Sequence, residues 1–139
     1  MKQKLSNRST FIWTVILLLV LVVIDATGDA YRHMGRQYAH HAMEVFQIAG
    51  FFLLWALFGF KRVFILLYIL GRIWLFDITY NLWCGFNWLY IGESDLGGEG
   101  IRWFAHLVKQ NYYHFSFMIK FLSLVTWVGV FIKQWRAER

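Results

Sequence analysis

Residues 25–44, DATGDAYRHMGRQYAHHAME, gather most of the chain's chemically capable side chains. Asp25 and Asp29 stand four apart, His33, His40 and His41 follow, and Glu44 closes the stretch. Imidazole together with carboxylate is the donor set that zinc, manganese or iron accepts, so Asp25, Asp29, His40, His41 and Glu44 are the candidate ligands for a divalent metal. On a helix, Asp25 and Asp29 share a face, as do His40 and Glu44. The order HHAME is not the HExxH of the zinc proteases, so no recognised metal signature is present. Further along come Arg72, Asp77, Tyr80, Asn81, His114 and Lys120, each set in apolar sequence. Asp25 or Asp77 could act as an acid–base group, and Arg72 could bind an anion.

These residues sit among long apolar runs. The chain has 139 residues, 59% of them hydrophobic and 21% aromatic, with only 16% charged, which is too apolar for a soluble domain of this size. Runs near 20 residues recur and predict an all-α, single-domain (residues 1–139) integral membrane four-helix bundle. The spans fall at about residues 11–31, 39–60, 63–83 and 112–132, judged by the length needed to cross a bilayer. Gly35 is expected to break the chain between the first two, and Lys61 with Arg62 makes a turn so short that the second and third spans must lie antiparallel. Residues 101–110, carrying Trp103 and Phe104, are expected to form a short helix in the membrane interface before the last span. There is no proline, so no proline kink is expected.

The net charge of +6 does not point to nucleic acid, because the basic residues are scattered at the span ends. Lys2, Lys4, Arg8, Lys61, Arg62, Lys133, Arg136 and Arg139 place both termini in the cytoplasm, with Arg32 and Arg36 pulling the other way. A bacterial inner membrane suits this pattern. The basic start, the apolar run to Ile24 and the small residues Ala26 and Gly28 also fit a signal peptide; the helical pattern continuing through Asp25 and Asp29 favours a retained span. Cys84 is the only cysteine, so no disulfide forms within the chain.

Depth relates the polar residues to one another. At 1.5 Å per residue, Asp25, Glu44 and Asp77 lie roughly 7–9 Å inside the outer ends of their spans. Asp29, His40, His41, Asn81 and His114 lie nearer that surface, and Arg72 and Lys120 near the midplane. The inner half is almost pure Leu, Val, Ile and Phe. Charges in hydrocarbon cost about 2.5–3.5 kcal/mol each on insertion scales, so these groups should turn inward and meet. The expectation is one polar pocket open to the non-cytoplasmic side, lined by Asp25, Asp29, His40, His41, Glu44, Arg72, Asp77, Asn81, His114 and Lys120. Arg72 should pair with Asp25 from the neighbouring span, because Asp77 lies about 140° round a 3.6-residue helix. Ser116, Lys120 and Ser123 make a small, polar stripe of the kind that lets membrane helices approach closely.

The segments DATGDAYR, HHAME and GRIWLFDITYNLWCGFNWLYIGESD resemble a group of small uncharacterised membrane proteins of phages and prophages of Bacteroidota-type bacteria. The resemblance covers residues 22–95, and its most specific part is residues 72–92. It implies that Asp25, Asp29, His40 or His41, Arg72, Asp77, Asn81 and Tyr90 are recurrent polar positions, and it implies no activity.

Three readings follow. The first is an accessory envelope or phage-encoded membrane protein whose polar cluster holds the fold, binds a cation, or meets a second copy or another membrane protein. The second is a metal-dependent or acid–base membrane enzyme acting on a lipid or envelope substrate. The third is a proton or ion pathway, against which the apolar inner half counts.

Overall fold

The computed structural model describes residues 7–59, 61–90, 103, 106–107 and 111–138. Among them every regular element is helical. Helix α1 is Asn7–His33 and α2 is Gln37–Phe58. The third span, Arg62–Cys84, is built from α3 (Arg62–Gly71), a π turn (Arg72–Phe76) and α4 (Asp77–Cys84). The last is α5, Tyr112–Ala137. All four spans are long and apolar enough to cross a membrane. They reach further at most ends than the apolar runs alone indicate, because polar flanks such as residues 7–10 continue the helix. The interfacial segment expected at residues 101–110 lies largely outside the described residues.

Local signals explain the element ends. Gly35 adopts φ 74° between α1 and α2, a left-handed geometry that a β-carbon would strain. Gly85 does the same after α4, where its N–H reaches back to Asn81 and Leu82 carbonyls. Asn111 caps α5 by accepting the Tyr113 N–H at 3.0 Å.

Helix α1 is the hub. Half of its apolar window is buried against only 6% for α2, so α1 runs through the middle and α2 rests on its flank. The core lies towards the Lys61 end, where Phe11, Val15, Leu18 and Leu21 of α1 meet Leu54, Phe64 and Leu67. Phe11 stacks on both Phe64 and Phe131, tying three spans at one level. Small residues set the α1–α2 distance: a β-carbon on Gly28 would come within 3.0 Å of Met43 Cβ, and one on Gly50 would collide with Leu21 Cδ2. At the Lys61 end itself, hydrogen bonds from Lys61 and Gln134 hold Glu138 below the usual carboxylate range and fasten the short turn to the end of α5.

The π turn is the one departure from regular helix in the third span. A turn closed by i→i+5 bonds disturbs the regular carbonyl pairing. The carbonyls of Leu67 and Leu70, just before it, accept bonds from Trp127 Nε1 and Ser123 Oγ, both at 2.9 Å. Ser123, the last member of the small, polar stripe on α5, thus serves the backbone of the third span.

Candidate functional site

The polar side chains fall into three groups, all towards the Gly35 end of the bundle. The first is at the rim, on α1 and α2. Gly28 allows α2 to approach so closely that His40 is buried, with Nδ1 3.0 Å from the Gly28 carbonyl oxygen. A carbonyl can only accept, so Nδ1 carries the proton in that bond. Nε2 then faces Glu44 Oε1 at 3.3 Å. His41 Nδ1 lies 2.9 Å from Glu44 Oε2, and Asp29 Oδ1 stands 4.0 Å from His40 Nδ1. One ligand atom each from His40, His41 and Glu44 lies within 4.8 Å of the others.

The second group is deeper, between α1, α2 and the third span. Arg72 Nη1 is 2.8 Å from Asp25 Oδ2. This is an ion pair by distance rather than a straight hydrogen bond, since no N–H is aligned on that buried oxygen. Gln47 stands beside Asp25 and donates to the Tyr68 hydroxyl at 3.1 Å. Phe76 packs under the guanidinium, 4.8 Å from its carbon to the ring centre. Asp25 is thereby held by Arg72 and Gln47, away from the three-ligand group.

The third group faces the other side of the third span. Lys120 is buried, 3.3 Å from Asp77 Oδ2 and 3.3 Å from the Trp88 carbonyl. Asn81 is 1% exposed and donates to the carbonyls of Trp88 (3.3 Å) and Tyr90 (2.7 Å), while Ser116 Oγ donates to Leu89 O at 2.9 Å. Three successive carbonyls after Gly85 therefore point into the bundle and are satisfied there. Left unpaired in an apolar interior, each would cost about 1–3 kcal/mol. This group holds the connector down, with Lys120 and Asn81 buried.

Of the ten residues expected around one pocket, Asp29, His40, His41 and Glu44 come together at the rim, Asp25 with Arg72, and Asp77 with Asn81 and Lys120. His114 is exposed near the start of α5 and joins none of the three groups. Sequence reasoning missed Gln47 and Tyr68, although a lone amide three residues after Glu44 in an apolar run was a readable signal. It also missed the carbonyls of Gly28 and residues 88–90, which carry no side-chain signature at all.

Chemically, the rim group has the character of a cation site. Ligands 2.0–2.1 Å from a tetrahedral zinc stand about 3.3–3.4 Å apart, close to the His40–Glu44 separation. Ligating histidines usually donate their other N–H to a carbonyl or carboxylate, as His40 does to Gly28. His41 and Glu44 keep 65% and 51% of their side-chain surface open, so an ion can reach them.

No protein-family model matches the chain, and no curated protein or solved structure does either.

Proposed function

We propose that the protein is a small accessory envelope or phage-encoded membrane protein that binds a divalent cation through His40, His41 and Glu44. By ligand type the ion is zinc, with manganese or iron as the next choices. The protein sits in the bacterial inner membrane with both termini in the cytoplasm and the rim site on the opposite side.

A single observation carries this reading. His40 Nδ1 is committed to the Gly28 carbonyl, so a neutral His40 turns an Nε2 lone pair towards the Glu44 carboxylate. Two acceptors 3.3 Å apart repel unless a cation lies between them or a second proton is taken up. Asp29 adds a further negative charge beside the ring. The pathway reading meets the apolar core of Phe11, Leu18, Phe64 and Leu67.

Zinc or manganese added to purified, chelator-treated protein should raise its melting temperature, and His40→Ala with His41→Ala should abolish the rise. A site holding zinc at a hundred times its dissociation constant would add about 2.7 kcal/mol. No shift with any divalent ion would leave the rim cluster as a protonated structural pair and overturn the reading.

A further inference from the structure

We infer that the face of α1 left between α2 and the third span binds a phospholipid carrying both a phosphate and a primary ammonium, of the ethanolamine type. No Cα of α2 comes within 8 Å of one in the third span among the described residues, so these helices meet only through side chains. The contacts that close the gap are deep: Phe51 on Tyr68, with ring centres 5.0 Å apart, and Gln47 on the Tyr68 hydroxyl. Above them, where the Arg72 and Asp29 side chains stay about half exposed, the floor of the gap is α1, with Asp25 against Arg72 and Asp29 beside His40.

Arg72 is the reason to expect an occupant. It lies about 18 Å from the Cys84 end of its span at 1.5 Å per residue, well inside the hydrocarbon. Even so, 48% of its side chain is exposed, although one edge already faces Asp25. A half-open guanidinium at that depth is costly against acyl chains and is relieved when phosphate is drawn down to it. Asp29, one turn above Asp25 on α1, lies about 6 Å nearer the rim, with 42% of its side chain exposed.

The gap therefore runs from positive at depth to negative at the rim. A zwitterionic headgroup has the same polarity, with phosphate towards the hydrocarbon and ammonium towards water. That match holds whichever leaflet the Gly35 end faces. A purely anionic headgroup would meet Asp25 and Asp29 with no added cation, which favours the amine-bearing lipid. A place for an acyl chain exists as well. Beside Gln47 and below it, Ile48, Phe51, Phe52 and Trp55 line an open, almost wholly apolar groove on the side of α2. Arg72 and Tyr68 would hold the phosphate, Asp29 the ammonium, and this groove a chain. None of these residues is a ligand of the proposed metal.

The test uses the full chain in nanodiscs of equal phosphatidylethanolamine and phosphatidylglycerol, with EDTA present so that the metal reading plays no part. Native mass spectrometry then identifies the lipid retained on release. Wild type should retain ethanolamine lipid over glycerol lipid by about threefold or more, the scale of one modest charge-assisted contact. Asp29→Asn should bring the two lipids close to parity, since Asp29 is the acid placed to meet the ammonium. Arg72→Gln should release lipid of both kinds. If that variant does not fold, Arg72→Lys keeps the charge opposite Asp25 while losing the guanidinium fork, and should weaken retention. Equal or preferential retention of phosphatidylglycerol by wild type would overturn the proposal. So would an ethanolamine preference that Asp29→Asn leaves unchanged.

Discussion

At the scale of residues, the decisive contacts are few and each has a clear reason. Arg72 and Asp25 lie 2.8 Å apart because a charge at mid-depth in a membrane has little else to meet. Breaking such a pair from one side leaves the other charge stranded, at about 3 kcal/mol, the low end for buried pairs because Arg72 is half open. Arg72→Leu should therefore lower the melting temperature in detergent, and adding Asp25→Leu should recover part of the loss. Unchanged melting of Arg72→Leu, or no recovery in the double variant, would show that the pair does not hold the fold. The sequence made this pair legible, since both residues interrupt apolar runs at similar depth. The Gln47–Tyr68 bond beside it was harder to read, because neither residue is charged and a tyrosine in a span usually passes for a belt aromatic. The rim histidines were legible as a group. Which of them is buried was not, because adjacent residues differ by about 100° on a helix and the answer turns on the Gly28 carbonyl.

At the scale of elements, α1 and α2 form the unit that builds the rim. Their closeness depends on Gly28, where a β-carbon would meet Met43 Cβ at 3.0 Å. Gly28→Ala should push the helices apart at that level, at about 1–3 kcal/mol for overpacking, and lengthen the His40–Gly28 bond. The zinc-dependent rise in melting temperature should shrink with it. Gly129 has nothing within 4 Å of such a carbon, so Gly129→Ala is the control and should be neutral or slightly stabilising. A Gly28→Ala protein with full stability and a full zinc response would separate the rim from helix spacing. The third span shows where element-level reading stops. Apolar length and Lys61–Arg62 locate its start, but nothing in GRIWLFD announces a π turn. On a regular helix Arg72 and Asp77 diverge by about 140°, whereas the wider turn brings them nearer one face. They still serve different neighbours, Asp25 on α1 and Lys120 on α5. The π turn is settled by tertiary partners, Trp127 and Ser123, which no local pattern encodes.

At the scale of the whole molecule, the bundle is divided along its length. Its Lys61 end is closed by Phe11, Phe64, Leu67 and Phe131, and its Gly35 end carries the polar groups. That division was legible from composition alone, because alternating spans place their polar residues at opposite ends of the chain segment but the same end of the bundle. The arrangement around α1 was not, since all four spans are apolar enough to be either central or peripheral. Small residues at Ala26, Gly28 and Ala30, all buried, are the trace it leaves. The division matters for orientation, because the site must face one compartment. Basic residues at the ends and at Lys61–Arg62 outnumber those near Gly35, and the proposed orientation, with the polar end outside, rests on that excess. A single cysteine makes this direct to measure: Cys84→Ala yields a background with no thiol, into which Met34→Cys or Arg136→Cys is introduced. Met34 is 40% exposed beside the α1–α2 turn, and Arg136 is exposed in the last turn of α5. In intact cells a membrane-impermeant maleimide should label Met34→Cys and should reach Arg136→Cys only after permeabilisation. The reverse pattern would put the His40–Glu44 rim in the cytoplasm, where the ion it meets would be drawn from a buffered pool rather than from the envelope.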